Sequence, residues 1–370
     1  MNVLSIFGTR PEAIKMAPVI HALQRDKRFV SRVCVTGQHR QMLNDVMNVF
    51  SLTANYDLDL MKKDQTLANI VAGTVSGLDP ILVDFKPDIV LVQGDTASAM
   101  AASLAAFFRN VEVGHVEAGL RTGNLKSPWP EEANRRLTAV VASRHYAPTQ
   151  RAVDALLAEK VPAKAIKLTG NTVIDALGYM VGRVAAPGPD RDALDAEFSW
   201  LKPDRRLILV TGHRRESFGE GFRNICLALK DIAARSDVEV VYPVHLNPNV
   251  QAPVREILSG VDNVHLIEPL DYRRFVYLMN RCHFALTDSG GIQEEAPAIR
   301  KPVLVMRDTS ERMEAVDAGV ARLVTTDRAS IVSSVNELLD DSAVFATMSS
   351  GASPFGDGRA AERIIEDLAA

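Results

Sequence analysis

Short apolar runs that end in glycine, proline or charged residues alternate with longer segments whose apolar residues recur at helical spacing. Residues 2–7 form the first apolar run, which predicts a buried strand. Between residues 67 and 85 apolar side chains recur three or four positions apart, which predicts a long helix with a core-facing side. A repeated order of strand, polar exit and helix predicts a parallel sheet with helices on both faces.

This alternation runs through the chain twice. The predicted strands of the first half, after residues 2–7, are 32–36, 89–92, 111–115 and 166–168. Residues 185–189 form the best linker, and the strands predicted after it are 207–210, 238–242, 264–267 and 284–286. The pattern predicts an α/β protein with two Rossmann-like doubly wound domains facing across a cleft: residues 1–170, joined by a final helix at 358–370, and residues 171–357.

The last of these strands leads into a glycine turn made of Ser289, Gly290 and Gly291. A turn of this kind at a helix start lets backbone N–H groups approach a phosphate. About one turn later Glu294 and Glu295 offer carboxylates that accept hydrogen bonds from a ribose diol. The turn therefore indicates a nucleotide site, and the alternative is a glycine-capped joint with solvated glutamates.

The composition is that of a globular enzyme, with 370 residues, 47% of them hydrophobic and 24% charged. A net charge of −4 does not favour a general nucleic-acid or membrane binder. Cations nevertheless gather at the predicted strand ends, which indicates a small anionic ligand. They are Arg10, Lys15, His39, His115, Arg121, Arg135, Arg136, His213, Arg214, Arg215 and His245.

Three cysteines are scattered among apolar neighbours, which suits neither a disulfide framework nor a cysteine metal site; they are Cys34, Cys226 and Cys282. We expect buried thiols in a reducing compartment and no bound metal. The first apolar run is too short for a signal peptide, and no run approaches the roughly 20 residues of a membrane span. A cytoplasmic protein is predicted.

Carboxylates stand at three separate element ends, as Asp95, Glu117 and Glu131. Glu117 lies between His115 and Arg121, a setting that packing alone explains poorly. For Asp95 the alternative is a helix cap, and for Glu131 it is a first-turn acid that complements the helix dipole. A dinucleotide-binding Gly-x-Gly-x-x-Gly turn follows none of the strands, so no tightly bound nicotinamide cofactor is expected.

Six motifs, in their order and spacing along almost the whole chain, carry a resemblance. They are Gly8 to Glu12, Gly94-Asp95, His115 to Arg121, Pro130 to Arg135, Thr211 to Glu216 and Asp288 to Pro297. This set resembles the non-hydrolysing UDP-N-acetylglucosamine 2-epimerases. The resemblance implies a GT-B fold, a homodimer and no cofactor. It also implies C2 epimerisation by elimination of UDP to a glycal and re-addition, which supplies N-acetylmannosamine for surface polysaccharides.

The resemblance assigns proton transfer to Asp95, Glu117 and Glu131 and leaves open which is base and which is acid. His213 is assigned to the departing UDP, since a histidine can donate to a phosphate or protonate it. Some substrate contacts are implied by the resemblance, and others are indicated by the patterns described above. Together they are Arg10, Lys15, His213, Phe275, Ser289, Gly290, Gly291, Glu295 and Arg312. The pattern alone favours a core aromatic for Phe275, and the alternative for Lys15 is a solvated helix face.

A second, activating substrate site is implied by residues that match those of bacterial members: Gln38, Gln41, Arg214 and His245. Asp64 falls near a position where some members carry arginine. Leu270, Met313 and Gln93 also depart from the family pattern without removing a proposed catalytic group. At Leu270, recognition of the uracil must therefore use backbone groups.

Three other functions share parts of these patterns. An inverting GT-B glycosyltransferase has the same fold and nucleotide half, but normally needs one base and an open acceptor site. A hydrolysing epimerase releases N-acetylmannosamine and UDP, and differs in whether water enters before UDP returns. If the protein were a regulator that only binds a nucleotide sugar, the three carboxylates would have no function.

Overall fold

The computed structural model describes residues 1–37, 40–61 and 65–370, apart from the side chains of residues 40–42. Within these ranges the chain forms two units. Unit 1 comprises Met1–Ala176 and Phe355–Ala370, and unit 2 comprises Leu177–Pro354. Each unit contains a parallel sheet of its own.

Unit 1 is built on a seven-stranded sheet in the order β3-β2-β1-β4-β5-β6-β7, with every neighbouring pair parallel. Its strands are β1 (Asn2–Phe7), β2 (Val30–Val35), β3 (Tyr56–Asp57), β4 (Ile89–Gln93), β5 (Glu112–Val116), β6 (Arg144–Ala147) and β7 (Ile166–Leu168). The parallel sheet predicted for the first half is confirmed. Strands β3 and β6 were not predicted, because β3 is very short and β6 begins with two polar residues.

Helices connect these strands: α1 (Arg10–Arg25), α2 (Arg40–Val49), α3 (Leu67–Phe85), α4 (Ala97–Phe108), α5 (Glu131–Val141), α6 (Gln150–Ala158) and α7 (Thr172–Ala185). Strands β1 and β4 pack with α3 and α4 around a core of aliphatic side chains and alanines. Alanine dominates α4, so this helix approaches its neighbours closely while its residues strongly favour helix.

Unit 2 contains a six-stranded parallel sheet in the order β10-β9-β8-β11-β12-β13. Its strands are β8 (Arg206–Thr211), β9 (Val238–Pro243), β10 (Val264–Ile267), β11 (Phe284–Thr287), β12 (Val303–Val305) and β13 (Ala321–Leu323). Its helices are α8 (Pro189–Glu197), α9 (Glu220–Ile232), α10 (Pro248–Leu258), α11 (Tyr272–Arg281), α12 (Gly290–Ala298), α13 (Met313–Asp317), α14 (Arg328–Asp340) and α15 (Ser342–Ser350). The second predicted Rossmann-like sheet is thereby confirmed.

The final helix, α16 (Ala360–Ala369), belongs to unit 1. The hydroxyl of Tyr146 donates to Asp367 Oδ2 at 3.1 Å, and Arg144 donates to the carbonyl of Asp367 at 2.7 Å. The predicted linker at 185–189 is not the border between the units, since α7 crosses the border at Ala176 and the break between α7 and α8 lies inside unit 2.

Each sheet has one place where the strand order reverses, between β1 and β4 in unit 1 and between β8 and β11 in unit 2. At such a switch point the loops after the two strands separate, and ligands of doubly wound sheets bind beyond the carboxyl ends there. The loops in question begin at Gly8 and Gly94 in unit 1, and at Gly212 and Asp288 in unit 2. All four belong to the motifs singled out from the sequence.

The cysteines Cys34, Cys226 and Cys282 are buried free thiols, as predicted. In the described part of the chain, α3 is the one helix with the length and apolar composition of a membrane span. Leu78 and Leu82 of this helix are buried in the core of unit 1, as in a core helix of a globular protein.

Candidate active site

Glu117 leaves the end of β5 in a left-handed backbone conformation with a φ of 63°. A residue other than glycine pays about 1–2 kcal/mol for this conformation, which is common at functional sites. The Glu117 carboxylate forms an ion pair with Lys15 and accepts a hydrogen bond from Asn171 Nδ2 at 3.0 Å. A cation and an amide donor on one oxygen both favour the ionised form of Glu117.

Asp95 directly follows Gly94, the first residue after strand β4. Its carboxylate is 2.6 Å from Arg135, and its backbone carbonyl accepts a hydrogen bond from Asn134 Nδ2 at 2.9 Å. The helix-cap alternative for Asp95 is wrong, because Thr96 is the N-cap of α4 and accepts a hydrogen bond from Ala99 N at 3.0 Å. Helix α5 therefore holds Asp95 by both its side chain and its backbone.

Glu131 is the first residue of α5, and it differs from the other two carboxylates in its surroundings. Its Oε2 atom is buried and has no hydrogen-bond partner among the described residues. The neighbouring Glu132 is instead fully engaged, accepting from Thr122 N at 3.0 Å and from Arg135 at 3.2 Å. A buried oxygen without a partner costs free energy unless a ligand supplies a donor.

The two residues that flank Glu117 in the sequence, His115 and Arg121, have partners of their own. Arg121 forms two hydrogen bonds of 2.8 Å with Glu159, and burial lowers the pKa of His115 to about 4, so that its ring is neutral. Lys15, which the sequence suggested for an anionic ligand, is the cation that pairs with Glu117. Arg10 begins α1 at the exit of β1, with its side chain partly buried.

His115 gives unit 1 a pH-dependent stability. Its Nε2 lies 2.7 Å from the carbonyl of Gly94, which can only accept, so Nε2 carries the proton. The Nδ1 atom is buried and has no partner among the residues that the structure describes. The pKa of His115 is about 4 against an ordinary 6.5, mainly because of burial. The unfolded chain thus takes up this proton first, and stability is lost as the pH falls from 6.5 towards 4.

We therefore expect His115→Gln to weaken the acid sensitivity of the fold. Glutamine keeps an N–H for the Gly94 carbonyl but does not titrate. Between neutral pH and pH 5 the free energy of unfolding of the variant should fall by about 1–3 kcal/mol less than that of the wild type. Urea unfolding at pH 8 measures the packing cost of the substitution. If the variant and the wild type differ in free energy of unfolding by the same amount at pH 5 as at pH 8, the expectation is contradicted.

In unit 2, Asp288 joins the two loops of the switch point. It is fully buried, and its Oδ2 accepts hydrogen bonds from the backbone N–H groups of His213 at 2.6 Å and Arg214 at 2.7 Å. Its Oδ1 lies 3.4 Å from His213 Nδ1. A residue at the exit of β11 thereby positions the histidine at the exit of β8.

The His213 ring is 42% exposed and stacks on the His245 ring, with centroids 5.4 Å apart. Burial of the rest of the ring lowers the pKa of His213, and His245 and Arg214 act in the same direction against Asp288. The imidazole is therefore neutral at neutral pH. With Asp288 beside Nδ1, its Nε2 is left to serve a ligand as donor or acceptor.

The glycine turn is the start of α12, with Ser289 as N-cap and Gly290 as the first residue. A Cβ placed on Gly290 would lie 3.8 Å from the guanidinium groups of both Arg214 and Arg312. Two guanidinium groups thus meet the positive end of a helix dipole. This arrangement suits an anion with several oxygen atoms, such as a pyrophosphate.

Two glutamates of α12 have distinct surroundings. Glu294 is buried and forms an ion pair with Arg312, whereas Glu295 accepts a hydrogen bond from Tyr272 at 2.8 Å. Glu295 Oε2 would be 3.7 Å from a Cβ on Gly291, so this carboxylate borders the glycine turn. The alternative of solvated glutamates is wrong, because both side chains are buried.

Phe275, on α11, is partly buried, so both a packed aromatic and a substrate contact remain open for it. Of the residues implied for a second substrate site, Arg214 lies at the glycine turn and His245 stacks on His213. Gln38 lies outside the described residues, as do His39, Asp64 and the side chain of Gln41. The second site remains a prediction.

Sequence reasoning missed the residues that hold the candidate groups. Arg135 was noted as a cation but not as the partner of Asp95, and Asn171 was not singled out. Asp288 was noted as a motif residue without its role in holding the His213 loop. Each of these contacts joins separate elements, so no local pattern reveals it.

Two parallel sheets, with carboxylates at the strand ends of one and an anion-binding turn in the other, define a Rossmann-like α/β enzyme of two units. A sequence model of the family described as UDP-N-acetylglucosamine 2-epimerase matches residues 21–369. The chain belongs to this family, and the predicted membership is confirmed. As the family's reaction is an isomerisation, the chain is classed among the isomerases.

Relatives of known name match the chain from end to end. It is 56% identical over 369 residues to the UDP-N-acetylglucosamine 2-epimerase of Escherichia coli strain K12, covering 100% of this chain and 98% of the relative. A structure of the Neisseria meningitidis UDP-GlcNAc 2-epimerase bound to UDP-GlcNAc is 49% identical with a TM-score of 0.92, covering 100% of both chains. These matches confirm the GT-B-like fold class.

A more distant solved structure shares the fold as well. The UDP-GlcNAc 2-epimerase of Methanocaldococcus jannaschii, in complex with UDP-GlcNAc and UDP, is 30% identical with a TM-score of 0.81. It covers 100% of this chain and 99% of that one.

Proposed function

We propose that this protein interconverts UDP-N-acetylglucosamine and UDP-N-acetylmannosamine by eliminating UDP to a 2-acetamidoglucal and adding it back. The observation that carries the proposal is the set of three carboxylates in unit 1, each at an element end and each in different surroundings. An elimination across C1 and C2 needs a base for the C2 proton, an acid for the return and stabilisation of the departing UDP. The names of the relatives support the epimerisation itself.

The three carboxylates differ in their partners. Glu117 and Asp95 each have a cation within reach, Lys15 and Arg135. Glu131 Oε2 has no such partner among the described residues. We assign removal and return of the C2 proton to these three groups as a set.

The departing UDP is held by unit 2. Arg214 and Arg312 lie beside the start of α12, where backbone N–H groups and the helix dipole attract phosphate oxygens. His213, whose backbone is fixed by Asp288, is the group we assign to the charge that develops on the departing UDP. We assign Glu295 to the ribose, and Arg10 and Phe275 to further substrate contacts.

Heavy-water NMR tests the proposal. The protein is incubated with UDP-N-acetylglucosamine in D2O without an acceptor, and UDP-N-acetylmannosamine with deuterium at C2 is expected. Free N-acetylmannosamine and UDP would instead indicate a hydrolysing epimerase. Unchanged substrate would leave the inverting glycosyltransferase or a binding protein.

For assembly, we infer a homodimer that uses the unit 1 surface at the ends of α3 and α4. Val83, Phe107 and Phe108 are 51%, 56% and 69% exposed there, which is unusual for large apolar side chains of one surface region. Light scattering coupled to size-exclusion chromatography should give the mass of two chains. Phe108→Asp should shift it to one chain; an unchanged mass would place the interface elsewhere.

The proposed product suits a cytoplasmic enzyme that supplies N-acetylmannosamine units for surface polysaccharides. Three buried free thiols are in keeping with a reducing compartment. Fractionation of cells with an antibody to the protein tests the location.

A further inference from the structure

Each unit has a buried carboxylate that joins the two loops of its switch point. In unit 2 it is Asp288, whose bonds to the backbone of His213 and Arg214 connect the β11 exit with the β8 exit. In unit 1 the corresponding contacts belong to Glu12, which is 1% exposed. Asp288 positions a candidate catalytic histidine in unit 2, so Glu12 is a candidate for the same role in unit 1.

Glu12 reaches both loops of unit 1 with separate oxygen atoms. Its Oε2 accepts from Gly8 N at 3.0 Å, and from both the N and the hydroxyl of Thr9 at 2.7 Å. Its Oε1 accepts from the hydroxyl of Thr96 at 2.7 Å. One carboxylate therefore ties the β1 exit, which precedes Arg10, to the β4 exit.

A local role explains only half of these bonds. Thr9 is the N-cap of α1 and Glu12 its third residue, so the contacts of Oε2 are those of a capping box. The Thr96 contact spans 84 residues and serves no helix end of α1. Burial also raises the pKa of Glu12, which means that a charged carboxylate costs free energy at this position. Its presence there indicates that the second oxygen has a function of its own.

We propose that Glu12 is a positioning residue for the reaction: through Thr96 it sets the place of Asp95 relative to the Arg10 loop. Asp95 precedes Thr96 directly, and Thr96 also caps α4 through Ala99 N. A shift of Thr96 therefore moves the Asp95 backbone. A displacement of about 1 Å in a catalytic group costs up to about a hundredfold in rate.

The inference rests on the proposed function, because its measure is the rate of epimerisation. Glu12→Gln, Thr96→Val and the double variant form a cycle on kcat, with UDP-N-acetylglucosamine as substrate. Each single variant should lower kcat by about tenfold or more while KM changes little, since UDP is held by unit 2. The double variant should be no slower than the slower single variant, because both remove one link.

Two further variants separate positioning from the loss of a helix cap. Thr96→Ser keeps the hydroxyl and should restore kcat. Thr149→Val removes the equivalent cap of α6, where Thr149 accepts from Ala152 N at 3.3 Å, and should leave kcat near wild type. Circular dichroism and UDP titration confirm that each variant is folded.

Additive losses in the cycle would overturn the inference, as would a Thr96→Ser variant as slow as Thr96→Val. Equal losses in Thr96→Val and Thr149→Val would reduce the effect to capping and overturn it too. Absence of epimerisation by the wild type is a different outcome, which refutes the proposed function itself.

Discussion

Glu117→Gln is expected to lower epimerisation and the exchange of the C2 proton by about 10²–10⁴-fold while UDP binding is retained. Glutamine fills the same space and can still accept from Asn171, but it neither takes up a proton nor balances the charge of Lys15. Unit 2, with its anion-binding turn, is untouched. Exchange is measured by NMR in D2O, and UDP affinity by calorimetry.

Glu159→Gln is the matched control for this substitution. It removes a carboxylate of the same unit that pairs with Arg121 and is 32% exposed. Its exchange rate should stay near that of the wild type. If Glu117→Gln exchanges as fast as Glu159→Gln, Glu117 has no part in the proton transfer.

Arg312→Ala is expected to affect both stability and UDP binding in unit 2. The Glu294 carboxylate, 2% exposed, loses its cation, and breaking a buried ion pair costs about 3–5 kcal/mol. The glycine turn loses one of its two guanidinium groups, and a hydrogen bond to a charged group is worth about 1.5–3 kcal/mol. Urea unfolding and UDP calorimetry measure the two effects.

A second substitution separates these effects. In Arg312→Ala with Glu294→Gln the buried charge is gone, so stability should recover in part while UDP affinity stays low. Arg322→Ala breaks the exposed pair with Glu337 in the same unit and should cost less than about 1 kcal/mol. Wild-type UDP affinity in Arg312→Ala would exclude Arg312 from the UDP site.

Local patterns predicted most strands well because apolar runs there are bounded by glycine, proline or charge. Asn2–Phe7 and Ile166–Leu168 are strands over the predicted residues. Strand β6 escaped prediction because it starts with Arg144 and His145, yet His145 is buried opposite His115 in the sheet. Burial of a polar residue depends on neighbours that a hydrophobic pattern does not reveal.

The linker illustrates the same limit. The prolines and the glycine of residues 185–189 predict a break in regular structure, and the chain does break there between α7 and α8. Which break separates two cores depends on how side chains distant in sequence pack. Helix α7 therefore runs unbroken across the border of the units.

By itself the sequence determined the alternation of strands and helices and the strand-end positions of Asp95, Glu117, His213 and the glycine turn, because each follows from a short local pattern. It also determined the family, because six such motifs keep their order and spacing along the chain. Only the tertiary structure decided the partners of these groups. Lys15 lies 102 residues from Glu117, and Thr96 lies 84 residues from Glu12. The charge and position of a carboxylate depend on what surrounds it in space, and folding brings those neighbours from distant parts of the chain.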